Sequence, residues 1–305
     1  MTSDQDTRTL ALRGGDVATL VRQPAAPVNT RGAVLYVHGF VDYFFQDHLA
    51  GHFAERGYDF YALDLRRYGR SLREDDVPYF VDDITTYFEE LDAAMEQIRA
   101  DGHGRVVVLA HSTGGLITPL WLHDRHPAGA EALILNSPWL ELAESRFRRT
   151  VVTWAISGIG RVRPYLVLPE KLGTVYPESI HRDHRGEWDF DTTWKPVAEV
   201  PIHAGWFRAI RRAHARFHRG LEVGVPVLVM HSDNSLLHQD AWSPEAMTAD
   251  TVLDVADMER WAPALGGNVT TATIPGGMHD LFLSSEPVRA HAFAVMDDWL
   301  DRVTA

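Results

Sequence analysis

The sequence contains no cysteine. This absence excludes a disulfide framework, a zinc site with thiolate ligands and a cysteine nucleophile. The absence of cysteine is consistent with a reducing compartment. The N-terminal residues MTSDQDTRTL also lack the basic start and the apolar core of a signal peptide, so the sequence predicts a cytoplasmic protein that is not exported.

The sequence also lacks an apolar run long enough to cross a membrane. The strongest candidate for a membrane-spanning segment is the apolar run at residues 151–159, and it is far shorter than the roughly 20 residues that a transmembrane helix needs. We therefore expect no transmembrane segment. Of the 305 residues, 45% are hydrophobic and 23% are charged, which is typical of a globular chain that can bury a substantial core.

Positive charge is scarce. The chain has 29 Lys and Arg against 42 Asp and Glu, and its net charge of −13 repels nucleic-acid backbones at long range. One basic patch lies on a predicted helix at residues 206–219, and it consists of Arg208, Arg211, Arg212, Arg216 and Arg219. No basic groove with interleaved aromatic residues accompanies it, so we expect a solvated face that pairs with acidic residues, and no nucleic-acid partner.

Predicted strands and helices alternate along most of the chain. Residues 9–13 and 17–21 flank Gly14-Gly15-Asp16, which predicts an antiparallel hairpin. Buried strands are predicted at residues 33–37, 58–63, 106–109, 132–135, 223–230 and 269–274. Helical periodicity lies between and after them, at residues 84–98, 255–265 and 287–300 for example. This alternation predicts an α/β protein with a mostly parallel sheet covered by helices on both faces.

The alternation stops at residues 141–220, which hold four tryptophans and five prolines. We interpret this segment as an inserted, largely helical lid on a core formed by residues 1–140 and 221–305. Several lid side chains would suit an apolar acyl or alcohol group of a ligand: Trp154, Ile156, Tyr165, Leu166, Trp206 and Phe207.

Residues 105–116 read RVVVLAHSTGGL and predict a strand, a tight turn and a helix with Ser112 at the apex. A nucleophilic serine in such a turn needs small neighbours, and Ala110 and Gly114 meet that need. The usual pattern is G-x-S-x-G, so Ala110 is a departure from it. A serine that only caps the following helix is the alternative.

A nucleophilic serine needs a base and an acid that orients the base. His279 is the candidate base, because it follows a late strand in a glycine-rich turn at the same predicted sheet edge. His38 should brace its own loop, and His111 should point away from the nucleophile.

Three aspartates are candidates for the acid. Asp233 directly follows a strand, Asp250 precedes a helix, and Asp254 looks like the N-cap of that helix. Their positions in the sequence do not distinguish the three. The N–H groups of Phe40 and Thr113 are the candidate donors of an oxyanion hole.

Four motifs in this order resemble the α/β-hydrolase superfamily, and within it the monoacylglycerol lipase, lysophospholipase and S33-type serine hydrolase group. They are His38-Gly39-Phe40, Asp64-Leu65-Arg66-Arg67-Tyr68-Gly69-Arg70-Ser71, Ala110-His111-Ser112-Thr113-Gly114-Gly115 and Gly276-Gly277-Met278-His279. The resemblance implies a mostly parallel eight-stranded sheet. It also implies Asp250 as the acid, because the group carries its aspartate in a turn like Thr248-Ala249-Asp250. The loop at residues 231–247 departs from the pattern and keeps Asp233 as an alternative.

These observations together predict a serine hydrolase of carboxylic esters that uses Ser112, His279 and Asp250. We expect a small-molecule ester or acyl substrate with an apolar group, and neither a cofactor nor a metal. An aspartate in place of Ser112 would have indicated a dehalogenase or an epoxide hydrolase, and the serine argues against both. The oligomeric state is left open.

Other functions remain as alternatives at this stage. An S33-type aminopeptidase would need an acidic side chain facing the pocket, for which the candidates are Glu141, Glu144 and Glu187. A thioesterase or acyltransferase would use the same triad. A metal hydrolase could use His181, Asp183 and His184. A protein of this fold could also bind a small molecule without turning it over.

Overall fold

The computed structural model describes residues 6–25, 30–142 and 153–304. Eight strands form one sheet in the order β1-β2-β4-β3-β5-β6-β9-β10. Their bounds are Asp6–Ala11 (β1), Val17–Gln23 (β2), Gly32–Val37 (β3), Tyr58–Asp64 (β4), Val106–His111 (β5), Ala130–Asn136 (β6), Val227–Ser232 (β9) and Val269–Ile274 (β10). Strands β1 and β2 form the predicted antiparallel hairpin, β2 also pairs antiparallel with β4, and all other neighbours are parallel. The predicted mostly parallel, eight-stranded α/β sheet is confirmed.

Helices cover both faces of this sheet. One face packs against α2 (Phe88–Ala100) and α3 (Gly114–Arg125), and the other packs against α1 (Asp47–Glu55) and α8 (Glu286–Val303). Alternate residues of a central strand enter the two cores, since Leu35 lies in one and Val34 in the other. Burial on both faces is why these strands read as continuous apolar runs.

The chain between β6 and β9 forms elements outside the main sheet. Its described part contains α4 (Thr153–Val162), β7 (Val167–Leu172), α5 (Val175–Ile180), β8 (Val200–His203) and α6 (Ala204–Phe217). Strands β7 and β8 pair antiparallel as a separate two-stranded sheet, which the sequence analysis did not predict. Each strand contains a proline and is short, so no alternating pattern marks it.

Three arginines of the predicted basic patch are engaged in ion pairs. Arg211 pairs with Glu141, Arg212 with Asp83, and Arg216 with Asp124. This agrees with the expected face that pairs with acidic residues. No helix in the residues that the structure describes has the length and apolar character needed to cross a membrane.

Two predicted helices are subdivided. The segment predicted at residues 84–98 begins with a 3-10 turn, Ile84–Tyr87, whose N-cap Asp83 accepts a hydrogen bond from Thr85 N, and then continues as α2. The segment predicted at residues 255–265 begins as α7 (Val255–Trp261) and ends as a 3-10 turn, Ala262–Leu265. Pro263 has no N–H to donate along a continuing α-helix, which accounts for the change.

Candidate active site

Ser112 lies in a strained turn between β5 and α3. Its φ of 53° is left-handed, a conformation that is uncommon for a residue other than glycine and typical of functional sites. The turn brings the helix against the sheet, because a Cβ on Gly114 would lie 2.5 Å from the carbonyl oxygen of Val37. The N-cap residue of α3 is Thr113, without a side-chain cap hydrogen bond, so Ser112 does not cap the helix.

The structure brings Ser112, His279 and Asp250 into one line of hydrogen bonds. His279 Nε2 lies 3.0 Å from Ser112 Oγ, and His279 Nδ1 lies 2.9 Å from Asp250 Oδ2. The carboxylate can only accept, so Nδ1 carries the ring proton and Nε2 accepts from the serine hydroxyl. All three residues are buried, with exposed fractions of 7%, 3% and 0% in the same order. Buried hydrogen bonds of this kind hold the imidazole in a single orientation.

Asp250 is fixed from both sides. Its Oδ1 accepts hydrogen bonds from the backbone N–H groups of Val252 and Leu253, each at 2.8 Å. Its own backbone forms a bridge with the preceding loop, in which Asp250 N donates to Asn234 O and Leu236 N donates to Asp250 O. These contacts aim Oδ2 at the histidine.

The other two candidate aspartates lie elsewhere. Asp233 is exposed, and its Oδ1 accepts a hydrogen bond from Gly276 N at 2.8 Å. Asp254 is the N-cap of α7, as its position in the sequence suggested, and accepts from Ala256 N. Of the three aspartates, the structure therefore places only Asp250 beside His279.

We expect Asp254→Ala to lower the free energy of unfolding by about 1 kcal/mol, because it leaves the first turn of α7 without a side-chain acceptor. Urea unfolding of the variant and the wild type measures this. Catalytic turnover should be unchanged, and a large loss of turnover at full stability would contradict the capping role.

Phe40 and Thr113 line the same cavity as Ser112. In the described part of the chain, neither backbone N–H donates a hydrogen bond to another protein group. The turn that carries Phe40 approaches the serine closely, since a Cβ on Gly39 would lie 2.9 Å from Ser112 Cβ. Both N–H groups are thus available for an oxyanion.

Two of the histidines near the site have structural partners. His38 accepts a hydrogen bond from Leu65 N at 3.0 Å, and His111 Nδ1 contacts the carbonyl oxygen of Asn136 at 3.1 Å. Burial lowers the pKa of both rings, which keeps them neutral near pH 7.

A buried polar network that the sequence analysis missed holds the loop of His279. Asn136 Nδ2 donates to Asp280 Oδ1 at 2.7 Å, and Asn136 Oδ1 accepts from Leu281 N. Gln46 Nε2 donates to the second oxygen of Asp280 at 3.1 Å. In the sequence, the only sign of this network is the polar Asn136 at the carboxyl end of β6, and its partners are distant along the chain.

A cavity of about 640 Å³ opens beside Ser112 and His279. Many of its lining side chains are apolar, among them Leu168, Leu172, Val175, Val200, Ile202 and Phe207. Of the lid residues expected to suit an apolar ligand, Trp206 and Phe207 line the cavity, whereas Tyr165 and Leu166 are exposed on the surface. The side chains of Trp154 and Ile156 lie outside the described residues.

His181, Asp183 and His184 do not form a metal site in the structure. Both ring nitrogens of His181 are engaged, Nε2 by Phe190 O and Nδ1 by Asp183 N. Within residues 6–25, 30–142 and 153–304, no group of three or more His, Asp or Glu side chains is arranged to hold a metal ion.

Comparison with known proteins gives both a family and a fold. Residues 28–286 match the family Hydrolase_4, described as serine aminopeptidase, S33. A monoacylglycerol lipase from Mycolicibacterium smegmatis is 28% identical over 225 residues, which are 68% of this chain and 71% of that protein.

Two solved structures show the same fold across the chain. A soluble variant of monoglyceride lipase from Saccharomyces cerevisiae has a TM-score of 0.72 and 18% identity, over 99% of this chain and 97% of that one. A carboxyl esterase from Bacillus coagulans has a TM-score of 0.70 and 15% identity, over 99% of both chains.

Proposed function

The chain belongs to the S33 serine aminopeptidase family Hydrolase_4, and we propose that within this family it hydrolyses carboxylic esters, with Ser112, His279 and Asp250 as its catalytic residues. One observation carries this proposal. The Ser112 hydroxyl, both nitrogens of His279 and the Asp250 carboxylate form one buried line of hydrogen bonds beside a largely apolar cavity. Nucleophile, base and orienting acid are the parts that acyl transfer through a serine requires.

In the proposed mechanism, Ser112 Oγ attacks the acyl carbonyl while His279 Nε2 accepts the hydroxyl proton. The N–H groups of Phe40 and Thr113 donate hydrogen bonds to the oxyanion of the tetrahedral intermediate. His279 then gives the proton to the leaving alcohol, which departs and leaves an acyl-enzyme. Water, deprotonated by the same nitrogen, releases the acid and restores the serine.

The cavity favours a substrate with an apolar acyl or alcohol group. Its size lies in the range of small-molecule sites, and apolar side chains make up much of its wall. The names of the compared proteins agree with this substrate class: monoacylglycerol lipase, monoglyceride lipase and carboxyl esterase. Residues 141–220 serve as the lid in this proposal, on a core of residues 1–140 and 221–305, because α6 and the β7–β8 sheet supply much of the lining.

The two described carboxylates that could have captured a substrate amine have other roles. Glu141 is paired with Arg211, and Glu187 is paired with Arg289 at the surface. Neither of them lines the cavity. The third candidate, Glu144, lies outside the described residues. These contacts argue against Glu141 and Glu187 as the groups that would bind a substrate amine.

A fluorophosphonate probe tests the proposal directly. We expect it to label the wild-type protein at Ser112 and to abolish hydrolysis of a short p-nitrophenyl ester. Hydrolysis should persist in a chelator, because the proposed mechanism uses Ser112, His279 and Asp250 and requires no metal. Absence of both labelling and turnover would refute the proposal and favour a binding protein of the same fold. Faster turnover of aminoacyl amides or thioesters than of esters would instead identify the alternative chemistry.

A further inference from the structure

The turn at residues 39–42, here called the oxyanion turn, has a strained backbone. Val41 adopts a φ of 52° between Phe40, the proposed oxyanion donor, and Asp42. For a β-branched residue the left-handed region is a genuine outlier, because its Cβ substituents crowd the backbone. Such a conformation persists only where surrounding contacts hold it in place.

The first holding contact is a buried ion pair. Lys195 Nζ lies 2.8 Å from Asp42 Oδ1, and only 6% and 4% of the two side chains are exposed. Burial is the largest influence and would raise the pKa of Asp42, but the attraction to Lys195 and smaller lowering contributions together outweigh it, and the pKa lies below its usual value. Separating buried opposite charges is costly, so the pair ties Asp42 to the chain between β6 and β9.

The ammonium of Lys195 is itself confined by aromatic rings. Its Nζ lies 5.4 Å from the ring centre of Tyr176, 5.9 Å from that of Phe190 and 6.0 Å from that of Phe45. Cations are attracted to such ring faces. Tyr176 and Phe190 belong to the same segment as Lys195, so contacts within this segment hold the ammonium close to Asp42.

The second holding contact is a ring stack on the other side of Val41. The ring of Phe40 lies on Trp206 of α6, with centres 3.8 Å apart and planes at 25°. Trp206 is nearly buried and packs in turn against Trp139. Lys195 and Trp206, which both lie between β6 and β9, therefore contact the residues on either side of Val41.

We infer that the described residues 153–226, between β6 and β9, hold the oxyanion turn in its left-handed conformation, with Lys195 and Trp206 as positioning residues for the Phe40 N–H. This inference rests on the proposed function. When these two contacts are lost, Val41 relaxes toward negative φ, and the Phe40 N–H rotates away from the oxyanion. Turnover then depends on the contacts that Lys195 and Trp206 make with the oxyanion turn.

A double-mutant cycle tests the inference. The variant D42N/K195M removes both charges together, which avoids an unpaired buried charge. We expect its kcat to fall about 100-fold with KM within about threefold, since loss of one oxyanion donor costs about 10² to 10³ in kcat. In the V41G background the same pair of changes should cost less than about tenfold, because glycine adopts positive φ without penalty. Trp206→Leu should show the same dependence of kcat on the Val41 background, and its KM should rise because Trp206 also lines the cavity.

Arg212→Met is the matched control, because it breaks an ion pair between α6 and Asp83 that touches none of the residues 39–42. Its kcat should match that of the wild type. Equal losses in both Val41 backgrounds, or losses in KM alone, would overturn the inference.

A crystal structure of D42N/K195M gives a result that does not depend on turnover. We expect Val41 to leave the left-handed region, and a φ that stays near 52° would overturn the inference. If the wild type hydrolyses no ester but Val41 still relaxes in the variant, the proposed function fails and the holding of the turn stands.

Discussion

Ser112→Ala is expected to lower kcat for a p-nitrophenyl ester by about 10⁵- to 10⁶-fold, the scale seen when a serine hydrolase loses its nucleophile. The reason is chemical. Without Oγ, His279 Nε2 has no hydroxyl to deprotonate, and no acyl-enzyme can form. Steady-state kinetics with the purified variant measures the loss, and labelling by a fluorophosphonate should disappear with it. The small residual rate over water would come from the oxyanion donors and from binding.

Ser137 offers a matched control in the same chain. It follows β6, is fully buried, has a left-handed φ of 48° and lies at the same edge of the sheet as Ser112. Its Oγ has no hydrogen-bond partner in the described residues, so no described histidine accepts a hydrogen bond from it. Ser137→Ala should therefore retain kcat within about twofold, since it removes a hydroxyl that has no role in the line of hydrogen bonds. Comparable losses in both variants would point to damaged folding rather than to a lost nucleophile.

Much of the fold could be predicted because its signals are local. The strand predicted at residues 269–274 coincides with β10, and the resemblance to the S33 group is confirmed by the family match. The β7–β8 sheet could not be predicted in this way. Its strands are short, each contains a proline, and they pair across about 30 intervening residues, so their partner is set by tertiary packing.

The residues of the site also fall into two groups, those with local sequence signals and those whose partners are distant in the sequence. Ser112 and His279 lie in turns with clear small-residue signals next to strands, and the structure brings them together. The Asn136–Asp280 network joins residues 144 positions apart, and the Asp42–Lys195 pair joins residues 153 positions apart. A buried charge or amide gives no local sign of its partner, because only the folded chain determines which group satisfies it.

Asp250→Asn is the second large expected effect, with a fall of about 10⁴-fold in kcat at neutral pH. An amide in place of the carboxylate can turn its NH₂ toward His279 Nδ1, which then loses its proton, so Nε2 becomes protonated and cannot act as the base. The protein should remain folded, because the side-chain oxygen can still accept from the N–H groups of Val252 and Leu253.

Asp233→Asn is the matched comparison for Asp250→Asn, since it makes the same chemical change at the exposed aspartate that directly follows β9. The amide oxygen of the new side chain can still accept from Gly276 N, so kcat should stay within about threefold of the wild type. If the Asp233 variant loses turnover and the Asp250 variant keeps it, the acid has been assigned to the wrong residue.

Combining Asp250→Asn with Ser112→Ala should add almost nothing to the loss from Ser112→Ala, because the effects of residues that act as one catalytic unit are not additive. Losses that multiply in the double variant would mean that Asp250 supports the fold and not the histidine.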